Sequence, residues 1–159
     1  MAYGTDAGLT TWLDANGYTL PGSLTAAVLR QRASAYIDGL YGPRFTGRPA
    51  DVTQADAWPR TGATAWGQSL ADDVTPAAVE NATYAAAYAE AGSPGMLSPT
   101  YTPGSNKIVT EVKGIKWEVV PFSGTGPEAF LPVLPVIDGL LRPFLIGGLP
   151  GRKPAVMVV

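Results

Sequence analysis

Residues 24–40 read LTAAVLRQRASAYIDGL, and this stretch decides the fold class. Leu24, Ala27, Val28, Ala35 and Leu40 recur near one stripe, with Arg30 and Gln31 off it, which is the period of an amphipathic helix. Ser23 stands where an N-cap is needed, and Gly42–Pro43 stops the run. Upstream, Thr5 caps a shorter helix carrying Asp6 in its first turn and Leu9, Trp12 and Leu13 on one face, ending at Asn16–Gly17. Downstream, Thr75–Pro76 forms a cap and first-helical-position pair for an alanine-rich helix through Glu90, closed by Gly92 and Pro94. Its alanines permit close helix approach.

The connections are long. From Tyr41 to Val74 glycine, proline and threonine recur without a sustained period, which predicts an ordered loop over 42–74. Residues 93–106 contain SPGMLSPTYTPGS and read as a flexible loop. Ile108–Val112 and Ile115–Val120 alternate about Lys113–Gly114, predicting a β-hairpin over 107–120. Residues 132–146 carry a helix-like apolar stripe, with a kink expected at Pro135 or Pro143, and 147–159 form an extended, apolar tail behind a basic hinge. The expected architecture is mainly α: one domain over 1–159, a bundle of three to four helices whose body is 1–92, one β-hairpin and an extended C-terminal tail.

Composition narrows the function classes. The 159 residues suit one domain, and a net charge of −2 disfavours a broad basic surface for nucleic acid. With no cysteine and no histidine, disulfides, zinc–thiolate sites, thiol nucleophiles and the commonest general base near neutral pH are all excluded. The N-terminus lacks the basic and apolar regions of a signal peptide, and the apolar run 129–149 is broken by prolines, Asp138 and Arg142, so no membrane partner is expected.

Each polar constellation has a structural reading beside a functional one. Asp72 and Asp73 favour the positive end of the third helix more than they invite a metal. Arg30, Arg32, Arg44 and Arg48 form the densest basic cluster, with Asp38 and Asp51 near enough in sequence to pair with them. Lys107, Lys113 and Lys116 around Trp117 have the chemistry to touch single-stranded nucleic acid by charge and stacking, although Glu111 and Glu118 offset much of that charge. Gly147, Gly148 and Gly151 beside Arg152 and Lys153 lack the strand and helix that a phosphate loop requires. The β-branched end 155–159 either folds onto its own domain or adds to a partner's sheet.

Taken in order, AYGT, the helix ending NGY, RQRASAYIDGLYG, QADAWPRTG and DDVTPAAVENAT resemble a family of tailed-phage head-to-tail connector or adaptor proteins, often labelled DnaT-like single-stranded DNA-binding. The likeness covers 1–92 best. Trp58, Pro59, Arg60, Thr61 and Gly62 match the family's WPRTG; Tyr36, Asp38 and Tyr41 its second-helix ending; Val74, Pro76 and Val79 its third-helix opening. The resemblance implies a helical, non-catalytic adaptor without cofactor or metal. It implies a homo-oligomeric ring, usually of twelve copies, in the virion neck between the portal protein and a tail-side stopper, with double-stranded DNA passing through. Assembly would take place in the host cytoplasm.

On this reading Phe144, Leu145, Arg152, Lys153, Val156, Val158 and Val159 are the expected portal-docking residues, and Lys107, Lys113, Lys116 and Trp117 face the lumen or the tail side. The alternative is a replication accessory protein that binds single-stranded DNA through that same hairpin. Pro59 biases Trp58 toward extended backbone, so its indole is expected to anchor the core against the second and third helices. Arg60 is then left near the surface for a salt bridge within or between subunits.

Overall fold

The computed structural model describes residues 2–98 and 134–146. Four α-helices are present: α1 (Asp6–Ala15), α2 (Ala26–Tyr41), α3 (Ala77–Gly92) and α4 (Pro135–Leu141). Short 3-10 turns, Gly42–Arg44 and Arg142–Phe144, extend α2 and α4. The fold is mainly α, as the helical periods predict.

Helix α1 begins as expected, with Thr5 in extended conformation and its Oγ1 accepting from the Gly8 N–H at 2.9 Å. Leu9 and Leu13 are buried and Asn16 is the C-cap. Helix α2 starts later than Ser23 predicts. Thr25 is the N-cap, its Oγ1 accepting from the Val28 N–H. Its buried face also differs: Leu29, Ala33, Tyr36, Ile37 and Tyr41 enter the core, whereas Ala27, Val28 and Ala35 are exposed and Leu24 and Leu40 pack at its margin. The expected stripe leaves out the i, i+4, i+8 row Leu29, Ala33 and Ile37 as well as the two tyrosines. Each buries its ring, and the Tyr41 hydroxyl donates to Asp138 on α4, so the polar tip is satisfied inside the protein.

Helix α3 has Pro76, not Thr75, as its N-cap, and no side chain caps it. Half of this helix is buried, with Val79, Ala82, Ala86, Ala87 and Ala91 giving it the small surface that lets α2 and α4 approach. The C-terminal helix is shorter than the 132–146 expectation. Pro135 occupies its first turn, where a missing N–H costs nothing, and the second proline, Pro143, ends it as a 3-10 turn. The chain then pairs back on the segment after α2: Thr46 N–H donates to Phe144 O at 2.8 Å and Ile146 N–H to Arg44 O at 2.7 Å.

The 42–74 segment holds strand pairs that lack a sequence period. β1 (Arg48–Pro49) pairs antiparallel with β2 (Arg60–Thr61), and β3 (Thr64–Ala65) with β4 (Gln68–Ser69). Two residues are too few to show alternation. The start of the expected flexible loop is also pinned: Leu97 is buried, and the Gly95 and Leu97 N–H groups donate to Glu90 at 2.8 and 3.1 Å. The expected hairpin 107–120, the remainder of the 93–106 loop and the tail 147–159 lie outside the described residues.

Candidate interaction site in the 44–74 segment

The segment between α2 and α3 is organised around Trp58 and Arg60. Trp58 is 2% exposed and sits edge-on to two rings, Phe45 at 5.4 Å and Phe144 at 6.0 Å between centroids. Those rings belong to the turns after α2 and α4, so the indole joins the two ends of the fold instead of inserting among ring partners on α2 and α3. Its Nε1 is buried without a hydrogen-bond partner, leaving the indole to act as an apolar body. Its main-chain N–H donates to the Tyr3 hydroxyl at 3.1 Å, and that hydroxyl donates to Asp38. The other Asp38 oxygen accepts from the Ala57 N–H at 3.1 Å. One carboxylate on α2 therefore ties the N-terminal segment and the WPRTG strand to the bundle.

Arg60 is only 5% exposed, which corrects its expected place at the surface. Its partners are main-chain carbonyls: Thr46 at 2.9 Å from Nε, Ala57 at 3.1 Å from Nη1, and Gly47 at 2.9 Å and Phe45 at 3.4 Å from Nη2. The five donors of a guanidinium suit this task because they diverge in one plane, and the irregular backbone here has no ladder to satisfy its acceptors. The guanidinium also lies 5.9 Å from the Phe45 ring centroid. Thr61 continues β2, and the Gly62 N–H donates to Asp72 at 3.1 Å. Asp72 therefore closes this loop, where the sequence reading had it favouring the start of α3.

Burial acts on the ionisable groups here. It is the main reason that Asp38 titrates above the ordinary carboxylate range; hydrogen bonds from Tyr3 and Ala57 work the other way. Burial followed by the bond to Asp38 pushes the Tyr3 phenol up, and burial lowers Arg60 somewhat. No group of three or more metal-ligating side chains occurs among the described residues. The arrangement holds backbone in place.

The projecting part of the segment is the β3–β4 hairpin. Its two-residue turn, Trp66–Gly67, has φ of 53° and 76°, the type I′ pattern that matches strand twist. Trp66 is 81% exposed. Sequence reasoning missed it; a tryptophan before glycine between two turn-length strands was the available signal.

A protein-family model described as "Putative DnaT-like ssDNA binding protein" matches residues 2–159. The chain belongs to that family. No curated protein and no solved structure matches it. Of the WPRTG residues that carried the resemblance, Trp58 and Arg60 are buried, Pro59 and Thr61 are half-buried and Gly62 is exposed.

The other expected site residues are dispersed. Arg30 pairs with Asp6 at 2.8 Å and donates to the Tyr3 and Gly4 carbonyls, while Arg32 pairs with Glu90 at 2.8 Å. Arg44 lies over the Tyr41 ring and Arg48 is exposed on β1, so the basic cluster of the sequence is not one patch in space. Asp51 accepts from Thr53 in a local turn. Phe144 and Leu145, expected to dock on a portal, pack in the protein's own core, 7% and 6% exposed. Arg152, Lys153, Val156, Val158, Val159, Lys107, Lys113, Lys116 and Trp117 lie outside the described residues.

Proposed function

We propose that this chain is a non-catalytic structural adaptor of a tailed phage, forming a ring in the neck between the portal protein and a tail-side stopper. Double-stranded DNA passes through such a ring, and assembly takes place in the host cytoplasm. One observation carries the reading: the only basic side chains among the described residues are six arginines, facing ten carboxylates, and Arg30, Arg32 and Arg60 are held by internal partners. A wall past which DNA must slide is served by such a surface, because released counterions and stacked bases would make a basic groove grip it. The small-residue helix α3 and the irregular 44–74 segment supply rigid body and varied contact surface, as a subunit touching different neighbours requires.

The family's description favours a second reading, single-stranded DNA binding, for which Lys107, Lys113, Lys116 and Trp117 are the available residues. The two part cleanly in experiment. Mass photometry of the purified protein, alone and with portal-bearing capsids, should find closed oligomers or stoichiometric capsid decoration, and a labelled oligothymidylate should show no saturable anisotropy change at low salt. Micromolar oligonucleotide binding that weakens steeply with salt, without any oligomer or capsid association, would replace the adaptor reading with the second one.

A further inference from the structure

The β3–β4 hairpin has one closed edge and one open one. In a two-residue hairpin the pair flanking the turn, Ala65 and Gln68, exchanges both main-chain bonds, and the next pair, Thr64 and Ser69, turns its N–H and C=O groups outward. On the β3 side those groups are taken: Thr46 Oγ1 donates to Thr64 O and accepts from Thr64 N–H, both at 2.9 Å. On the β4 side Ser69 is exposed, and among the described residues no other segment bonds its main chain. An open strand edge is a template for another strand. The turn beside it carries Trp66, 81% exposed at a positive φ where asparagine, aspartate or glycine is favoured. Neither turn formation nor core packing accounts for a tryptophan there.

Acidic groups stand at the foot of the same edge. Asp72 and Asp73 are exposed just past β4; Asp72 uses one oxygen on the Gly62 N–H at 3.1 Å, and Asp73 has no ion pair among the described residues. Residues 147–159, GGLPGRKPAVMVV, hold Arg152 and Lys153 and no acidic side chain, and their run Ala155–Val159 is rich in the β-branched valine that strands favour. The fold delivers this segment to the hairpin. Ile146 N–H donates to Arg44 O at 2.7 Å and Thr46 N–H to Phe144 O at 2.8 Å, and Thr46 is the residue that holds Thr64. This exit lies on the β3 side, so the chain must cross the foot of the hairpin, about 10 Å for two inter-strand spacings. Residues 147–153 span up to about 25 Å when extended, and Gly147, Gly148, Pro150 and Gly151 suit the change of direction.

We infer that residues 154–159 of this chain add in antiparallel order to the open edge of β4, with Arg152 and Lys153 against Asp72 and Asp73. Charge sets the register. With Lys153 opposite Asp72, an antiparallel run brings Val156 opposite Ser69, the residue whose main-chain groups point outward, and Val159 beside Trp66. One register thus pairs the charges, closes the strand edge and covers the exposed indole with an aliphatic side chain. The apolar run and the open edge then shield each other from pairing with other chains. The contact lies within one copy and does not depend on the ring reading.

The chain has no cysteine, so cross-linking is clean. The full chain carrying Ser69→Cys and Val156→Cys should oxidise in dilute solution to a disulfide within one copy, monomeric on a non-reducing gel and identified by its linked peptides in mass spectrometry. Ser69→Cys with Met157→Cys puts the second thiol on the other face of the strand, and should close at least about tenfold more slowly. Equal rates would mean that the segment is only tethered nearby, and would overturn the inference. Disulfide-linked dimers in place of the internal bond would seat the segment on another copy and overturn it while leaving the ring reading in place. The Trp66 indole N–H resonance, identified by its loss in Trp66→Asn, should move in the Arg152→Glu, Lys153→Glu variant, which alters nothing in the described body. It should return toward its wild-type position when Asp72→Lys and Asp73→Lys are added. A resonance that ignores the first charge reversal overturns the pairing. If an oligothymidylate shifts it while that reversal does not, nucleic acid is the occupant and the inference is likewise overturned.

Discussion

Replacing Arg60 with methionine keeps an unbranched stem against Phe45 but removes every donor that the carbonyls of Phe45, Thr46, Gly47 and Ala57 share. A buried acceptor left without a donor costs about 1–3 kcal/mol. The bond to Phe45 is fully buried and the other three partly so, which lets water recover a share of the loss. A total of about 3–5 kcal/mol follows, a large fraction of the ~5–15 kcal/mol that holds a typical domain together. The loss corresponds to a fall in melting temperature on the order of 10 °C for a chain of this size. Arg60→Lys should fall between, because one ammonium cannot span carbonyls that diverge around a planar fork. Arg48→Met is the control for removing a positive charge from the same strand pair: Arg48 is exposed, and about 0.5 kcal/mol or less is expected. Urea unfolding followed by far-ultraviolet circular dichroism and tryptophan fluorescence measures all three. Equal destabilisation by Arg60→Met and Arg48→Met, or an Arg60→Met loss below about 1 kcal/mol, would refute the carbonyl cage as a source of stability.

Four further outcomes are expected. Trp58→Ala should cost about 3–5 kcal/mol through the cavity it opens between Phe45 and Phe144, and oligomers should weaken with it; normal stability in a urea melt would contradict this packing role. Glu90 is pulled up by burial, but the Gly95 and Leu97 N–H groups and Arg32 outweigh that and leave it below the usual glutamate range. Its stabilisation is therefore present above the unfolded-state pKa near 4.5 and lost as pH falls through the lower folded-state value, so Glu90→Gln should flatten the acid limb of a stability–pH curve; an unchanged limb counts against it. Burial raises Tyr3 and Tyr41 well above the ordinary phenol value and pushes Tyr36 up to about 12. Because the unfolded chain releases those protons first, stability should fall as pH rises past 10, and tyrosinate absorbance should show a late, unfolding-linked step instead of one reversible titration near 10. Gly47 has φ of 71°, and an added Cβ would lie 2.5 Å from Thr61 O and 2.6 Å from Ala63 N, so Gly47→Ala should destabilise by about 2 kcal/mol or more in the same urea assay; a neutral result would mean that β1 and β2 separate easily.

The helices were legible because each has a local cause. Thr5 caps α1 by reaching three residues along its own chain, and the alanines of α3 carry their propensity wherever the chain goes. Local rules misplaced the boundaries by a residue or two, at Ser23 and Thr75, where another residue already held the extended conformation that a cap needs. They also chose the wrong stripe of α2: the row Leu29, Ala33 and Ile37 has the same helical spacing, and the tyrosines beside it count as interior only when a distant carboxylate, Asp138 for Tyr41, receives a hydroxyl.

Within the candidate site, Trp58 was recognisable as a core anchor because a large ring beside proline has few other uses. Arg60 was not, because its partners are carbonyls of two segments, 45–47 and Ala57, and main-chain acceptors are the same in every sequence. The pairing of β1 with β2 shares that property, since it depends on where two separated backbone segments meet. Sequence alone thus determined a helical, cysteine- and histidine-free domain with Trp58 as a core anchor. Tertiary structure decided which face of α2 is interior, that Arg60 binds backbone instead of a carboxylate, and that Phe144 and Leu145 are core while Trp66 is not. Burial and long-range hydrogen bonds are properties of pairs of segments, and a single segment read alone contains only one member of each pair.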